Sequence, residues 1–353
     1  MRRKAIVLLS GGLDSMLAAR LMQDQGIDVE GVNFYTGFCI ENHTQAIRGH
    51  DQGRRHQALW VAEKLAIPLH IVDISEAYKN ILLQPRYGYG TAMNPCLDCK
   101  IFMIRQAALF MEQAHTIATE KAADFIVTGE VIGQRMKSQL KRTMPLIARE
   151  SGVHDRLLRP LCAQLLEPTL PERLGWVDRQ KLYGFNGRSR QPQIDLARSL
   201  GLDEWAQPAG GCCFLTDPHY ARKLADLWES RGQRDYSLDD AILLKVGRHL
   251  RPRPHFKIII PREEGENRFL EGFRHNLPSL QALDHAGPLA LVDGILNAAD
   301  RQFAGRILAR YSQGRQEARL RVGFFDTKKT LVETLDVVPL PAEEIEESWH
   351  VGG

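Results

Sequence analysis

The stretch Lys4-Ala5-Ile6-Val7-Leu8-Leu9-Ser10-Gly11-Gly12-Leu13-Asp14-Ser15 decides the fold. Lys4 to Leu9 is a short apolar run of strand character, Ser10 to Ser15 is a glycine turn, and Met16 to Gln25 has the apolar spacing of a helix. The chain therefore opens strand, loop, helix. Two adjacent glycines let the backbone turn sharply and approach an anion, and the helix that follows aims its free N–H groups and positive dipole end at the same spot. With Ser10 and Ser15 flanking the glycines, the loop reads as a pyrophosphate cradle. It lacks the Lys of a kinase-type phosphate loop, so the γ-phosphate is not the obvious group to be transferred. Asp14 would be repelled by a bare phosphate, which gives it the task of holding Mg²⁺ or orienting the loop.

Outward from this loop the strand signals recur at Val29 to Phe34, Ile67 to Ile74 and Asp124 to Val127, with helical patterns over about Gln52 to Leu65 and Lys100 to Ala123. Strands alternating with helices predict a Rossmann-like parallel sheet covered on both faces. Ligands of such sheets sit at the carboxyl ends of the strands, where both Ser10–Ser15 and the loop from Gly129 to Gln139 fall. Residues 1–236 are expected to form this catalytic α/β domain, including the Pro- and Arg-rich, cysteine-bearing segment 159–236. Beyond Ser237 the pattern changes to strands at Phe256–Ile260, Leu289–Val292, Arg306–Tyr311, Ala318–Phe324 and Leu331–Val338, with a helix near Gly265–Arg274, so 237–353 is expected to be a small α+β domain.

The formal net charge of +3 over 353 residues excludes nothing about nucleic acid, but basic residues gather in Gln134–Arg142, Gly187–Arg190 and Lys245–Arg253. The start is too short in its apolar part for a signal peptide, and no stretch approaches a spanning helix, which points to a cytoplasmic protein with no membrane partner. In that compartment clustered cysteines suggest metal or catalytic work more than disulfides. Cys96 and Cys99 open a helix, where its dipole and Lys100 favour thiolates. A closed zinc site wants four ligands. Adjacent residues rarely both reach one metal, so Cys212 and Cys213 supply one thiolate between them. Three thiolates with a position open suit an iron–sulfur cluster that binds exogenous sulfide. Cys39 and Cys162 stand alone and read as buried apolar filler.

On Ser10-Gly11-Gly12-Leu13-Asp14-Ser15 the chain resembles the PP-loop ATP-pyrophosphatases, a likeness that implies cleavage of ATP between its α- and β-phosphates and adenylation of an acceptor oxygen. Asn94-Pro95-Cys96-Leu97-Asp98-Cys99-Lys100 and Gly211-Cys212-Cys213-Phe214-Leu215 resemble the cysteine motifs of the tRNA 2-thiouridylases and 4-thiouridine synthetases. The resemblance continues through Thr128 to Arg135, Arg159-Pro160-Leu161, Pro168-Thr169 and Gly187 to Arg190, and covers about Lys4 to Asp226. It implies that Cys99 and Cys213 are the two catalytic cysteines, that Gly129 with Gln134 or Arg135 lies beside the nucleotide, and that the partners are tRNA and a sulfur donor, sulfide or a persulfide from a cysteine desulfurase system. Two-cysteine members pass sulfur as a persulfide and carry Asp where Cys96 stands. Three-cysteine relatives hold a [4Fe–4S] cluster, and this chain has the third cysteine, Cys96, so Cys96, Cys99 and Cys213 are the implied cluster ligands, with Cys212 a weaker choice than Cys213.

Lys245 to Arg251 also faintly resembles NFACT-type RNA-associated domains, and Arg248, Arg251, Arg253 and Lys257 are candidates to clamp a tRNA backbone, with homodimerisation or plain support as open alternatives. The expected function is ATP-dependent tRNA uridine thiolation. Its rivals are an adenylating enzyme of the same class acting on a small molecule, by sulfur insertion or amidation, and a nucleotide-switched RNA-binding protein.

Overall fold

Ala5, Ile6 and Val7 lose essentially all contact with solvent because β1 (Lys4–Leu8) is the central strand of a sheet covered on both faces. The computed structural model describes residues 2–40, 56–117, 123–205 and 213–353, which fall into two compact units, the second running from Cys213 to Gly353. In the first unit the elements follow as α1 (Leu13–Asp24), β2 (Asp28–Tyr35), α2 (Gln57–Leu65), β3 (Leu69–Asp73), α3 (Ser75–Leu83), α4 (Cys96–Ile117), β4 (Phe125–Val127), α5 (Met144–Glu150), β5 (Leu157–Leu158), α6 (Leu170–Arg173) and α7 (Gln191–Ser199). The predicted helix from Gln52 thus begins, among the described residues, at Gln57.

The strands are all parallel, in the order β3-β2-β1-β4-β5. Side chains alternate along β1, so Ala5 and Val7 join Leu17 and Met22 of α1 and Val61 of α2 on one face, while Ile6 joins Val32, Ile126 and Ile104 of α4 on the other. Connections run outward from β1 toward β3 and from β4 toward β5. The order therefore reverses between β1 and β4, which opens a crevice above their carboxyl ends.

The second unit holds α8 (Pro218–Arg231), α9 (Leu238–Leu243), β6 (Arg248–Arg253), β7 (Phe256–Ile260), α10 (Glu264–Glu271), β8 (Ser279–Ala282), β9 (Ala290–Gly294), α11 (Ala298–Arg310), β10 (Leu320–Phe325), β11 (Leu331–Val337) and β12 (His350–Val351). Its seven strands form an antiparallel sheet in the order β11-β10-β8-β9-β7-β6-β12. The compact unit begins earlier than the change of pattern at Ser237, because α8 is tied to the sheet, where Asp226 pairs with Arg251 of β6 and Lys257 of β7, and to α9, where Tyr220 donates to the Ala241 carbonyl at 2.8 Å.

One predicted strand is a helix. Arg306–Tyr311 belongs largely to α11, whose start is fixed by a reciprocal cap in which Asn297 accepts from the Asp300 N–H and Asp300 from the Asn297 N–H. Ala304, Ile307 and Leu308 then repeat at helical spacing and bury against Leu320, Val322, Leu335 and Val337. A six-residue window held too little of that period to separate it from a strand. Arg248–Arg253, read only as a basic run, is a strand instead, with Leu250 fully buried.

Candidate nucleotide and thiol sites

The glycine turn sits where β1 hands over to α1. Gly11 has φ +85° and lies so close to Gln57 and Ala58 that a Cβ would come within 2.7 Å of the Ala58 nitrogen, so no side chain fits there. Gly12 caps α1 without any side-chain hydrogen bond, leaving the first-turn N–H groups with the orientation that receives an anion. Ser15 folds its hydroxyl back onto the Gly12 carbonyl at 2.8 Å and lies 3.3 Å from the Ser10 hydroxyl. Gly129, just beyond β4, is pressed against this helix start: a Cβ on it would fall 2.4 Å from the carbonyl carbon and oxygen of Asp14. Two loops from adjacent strands are thereby fixed against each other.

Asp14 is gripped from the side. The Gln134 side-chain amide donates to its Oδ2 at 2.7 Å, the Gln193 side-chain amide donates to Gln134 Oε1 at 3.1 Å, and the Arg190 guanidinium lies 3.8 Å from the same carboxylate. Burial pushes the Asp14 carboxyl above its ordinary value, against the opposing pull of Gln134, Arg190 and Arg135. Its Oδ1 is buried with no hydrogen-bond partner, the donor a hard divalent cation takes, so the residues fit Mg²⁺. Gln134 touches Asp14, whereas Arg135 is exposed and acts on it only through charge.

Arg190 and Gln193 were not singled out as site residues by sequence, although Gly187–Arg190 stood out as basic. They arrive because the Gly187 N–H bonds to the Ile132 carbonyl at 2.8 Å and because Leu196 and Ala197 of α7 pack in the same core cluster as Leu13 and Leu17 of α1.

The two first-unit thiols occupy the opening turn of α4. Asn94 donates to the Cys96 sulfur at 3.1 Å, and the Cys99 N–H closes the turn on the Pro95 carbonyl at 2.8 Å. Asp98, between them, turns inward and accepts the Arg86 and Tyr87 N–H groups, both at 3.0 Å. One residue beyond Cys99, Lys100 reaches 3.6 Å from Glu130. Glu130 is 2% exposed and also accepts from Arg159 at 2.8 Å and Thr128 at 3.0 Å. Burial alone would raise its carboxyl, but Lys100, Arg159 and Thr128 outweigh that and hold it down at about 2. The 128–134 loop thus touches the helix start at Asp14 with Gly129 and the cysteine helix with Glu130.

Cys162 is fully buried, as the sequence suggested, and donates to the Glu130 carbonyl at 3.2 Å; burial pushes its thiol up to about 12. Cys39 is only half-buried, 3.8 Å from the Thr36 hydroxyl, and so is not simple core filler. Cys213 begins the second unit, where its carbonyl accepts the Thr216 hydroxyl at 2.8 Å. Cys212 and the turn at Gly210–Gly211 lie outside the described residues. Among the described residues, no group of three or more His, Cys, Asp or Glu side chains is arranged to hold a metal.

In the second unit two members of the expected phosphate clamp are already engaged. Lys257 is 1% exposed and pairs with Asp226 at 3.1 Å and Asp293 at 3.6 Å, and Arg251 pairs through two nitrogens with Asp226. The strand alternation of β6 and β7 turned them toward α8. Arg248 and Arg253 lie instead over the rings of Tyr311 and Phe303, at 5.6 and 5.5 Å. Among the described residues no helix is long and apolar enough to cross a membrane.

A parallel sheet with a glycine loop at its switch point defines a nucleotide-binding domain of the HUP type, and residues 3–149 match the tRNA methyl transferase HUP domain family. Residues 247–350 match the NFACT protein RNA binding domain. The tRNA-specific 2-thiouridylase MnmA of Flavobacterium johnsoniae is 35% identical over 303 residues, covering 78% of this chain and 71% of that protein. The chain belongs to the tRNA-specific 2-thiouridylase family. The enzyme of the same name from Geotalea uraniireducens is 30% identical over 241 residues, or 66% of this chain and 59% of that protein. Of four other relatives of that name the chain spans only 33% to 56% of the length. A solved 4-thiouridine synthetase–RNA complex with bound ATP aligns over 57% of this chain and 41% of that one, at 21% identity and a TM-score of 0.35.

Proposed function

We propose that the protein adenylates a uridine carbonyl oxygen of tRNA with ATP and then replaces that oxygen with sulfur, giving 2- or 4-thiouridine. The observation that carries the reading is the glycine loop at the β1/β4 switch point, with uncapped helix N–H groups and a half-buried Asp14 whose Oδ1 has no partner. Ser10, Gly11, Gly12 and Ser15 would cradle the phosphates through backbone N–H groups and hydroxyls, where fixed dipoles stabilise charge without reorganisation. Mg²⁺ on Asp14 would neutralise phosphate charge. Gly129 packs the loop, and Gln134 orients Asp14; Arg135 adds positive charge at the rim.

The uridine oxygen attacks the α-phosphorus, pyrophosphate leaves, and the oxygen becomes part of a good leaving group. A sulfur nucleophile then attacks the activated carbon and AMP departs. Cys96, Cys99 and Cys213 are the thiols that would deliver sulfur. Three thiolates without a fourth favour a [4Fe–4S] cluster, which would supply an open iron for exogenous sulfide. The second reading is a persulfide relay through Cys99 and Cys213, fed by a cysteine desulfurase system. The base must be reached outside its stack, and the second unit, with its RNA-binding family match, is the surface we assign to tRNA. The cytoplasm is the compartment this reading requires, and homodimerisation remains the alternative use of the second unit.

The test is pyrophosphate release on adding tRNA, with thionucleoside analysis of the product. Asp14→Ala should abolish both in a folded protein, and undiminished release would remove the adenylation reading. Brown, anaerobically purified protein that loses colour in Cys96→Ala would support the cluster. Colourless, iron-free protein in which Cys96→Ala still thiolates and Cys99→Ala does not would establish the relay.

A further inference from the structure

Three polar atoms around the glycine loop are buried without a hydrogen-bond partner: Asp14 Oδ1, Arg190 Nε and Gln193 Oε1. Gln193 is wholly enclosed, at 0% exposure. Native interiors rarely leave such atoms unmatched, and a cluster of them marks a place where a ligand completes the bonding. Their location is specific. α1 begins beside Gly12, with no side-chain cap, and α7 beside Arg190, and the Asp14–Gln134–Gln193 chain joins the first turns of the two helices. The first-turn N–H groups of α1 face this crevice, and α7 brings Arg190 to it rather than N–H groups, since Pro192 has none and the Gln191 N–H bonds to the Ser189 hydroxyl at 3.3 Å.

The loop itself brings no cation, since no Lys follows its glycines. Pyrophosphate leaving from ATP carries several negative charges, which backbone dipoles and one divalent ion only partly offset. Arg190 is the side chain in position to supply the rest. Its Nη2 is 3.8 Å from Asp14, close enough to be held by charge and too far for a hydrogen bond, and among the described residues its guanidinium donates no hydrogen bond. A planar fork held loosely beside a phosphate cradle is suited to bidentate contact with phosphate oxygens.

We propose that Arg190, held at the start of α7, forms a second phosphate subsite, which shares the pyrophosphate moiety of ATP with the glycine loop and replaces the missing loop lysine. This subsite rests on the adenylation reading above. On nucleotide binding Arg190 turns its unused donors to phosphate, while the open Asp14 Oδ1 takes the divalent cation. One ligand thus satisfies the Arg190 and Asp14 orphans together.

The experiment is equilibrium binding of Mg²⁺–pyrophosphate and of AMP, separately, to the full chain by calorimetry. Loss of a charge-assisted, bidentate contact should weaken pyrophosphate binding by about tenfold to a hundredfold in Arg190→Gln, with AMP affinity and the far-ultraviolet spectrum unchanged. Arg190→Lys should recover part of the loss, because it restores charge without the fork. If Arg190→Gln does not fold, the lysine variant decides: unchanged pyrophosphate affinity in it overturns the bidentate contact. Wild-type affinity for pyrophosphate in a folded Arg190→Gln overturns the subsite while leaving adenylation standing. Failure of the wild-type protein to bind either pyrophosphate or ATP would instead overturn adenylation, and the subsite with it.

Discussion

Replacing Glu130 by Gln should destabilise the first unit by about 3 kcal/mol at pH 7, in line with the cost of breaking a buried ion pair from one side. Glu130 is enclosed between Arg159, Lys100 and Thr128, and Arg159 is itself only 5% exposed. The neutral amide would leave that guanidinium buried beside no countercharge. The depressed carboxyl expresses the same contacts as a pH dependence. The carboxyl is held at about 2 against an ordinary 4.5, and a displacement of that extent corresponds to about 3 kcal/mol. Because the folded value is depressed, this stabilisation is complete above about pH 4.5 and disappears as pH falls toward about 2. Hydrogen exchange of the peptide carrying β4, measured in both proteins at pH 7 and again near pH 3, reads the difference. It should be large at the first and shrink at the second. A Glu130→Gln protein within about 1 kcal/mol of wild type at pH 7 would refute the claim that this cluster braces the cysteine helix against the nucleotide loop.

Gly129→Ala, whose new Cβ would meet Asp14 backbone atoms at 2.4 Å, should cost about 1–3 kcal/mol and impair ATP binding, whereas Gly12→Ala meets only the Ser10 hydroxyl at 3.6 Å and should melt like wild type. Thermal denaturation with and without Mg²⁺–ATP separates the two. Asp14→Asn should abolish pyrophosphate release yet stabilise the ligand-free protein at pH 7 by about 1 kcal/mol, seen as a higher melting temperature. The folded Asp14 carboxyl lies above its ordinary value, so the native state binds that proton more tightly than the unfolded chain, and ionisation at higher pH is a net cost. The gain from Asn should therefore shrink as pH falls through the carboxylate range; a constant gain would contradict it.

The nucleotide loop was legible in the sequence because its requirements are local. A strand, two glycines and a helix lie within a few turns of one another, and Gly11 indeed adopts the positive φ that only glycine takes freely. The parallel sheet followed from the apolar runs at β1, β2 and β4, since strands buried on both faces cannot alternate. The Cys96–Cys99 turn was equally local, three residues apart at a helix start. In the second unit the sequence determined much less. Its short windows carried ambiguous periods, so Arg306–Tyr311 read as strand until the Asn297 cap and the burial of Ile307 and Leu308 made it helix.

Tertiary structure alone decided which distant polar groups meet. Nothing near Asp14 in sequence shows that Gln134, Arg190 and Gln193 close around it, because those contacts depend on α7 packing against α1 and on the Gly187–Ile132 bond. Likewise Lys257 and Arg251 look like free cations in a basic run. Burial against α8 pairs them with Asp226 and Asp293, since a charge taken out of water must find a countercharge, and only the folded chain specifies which one.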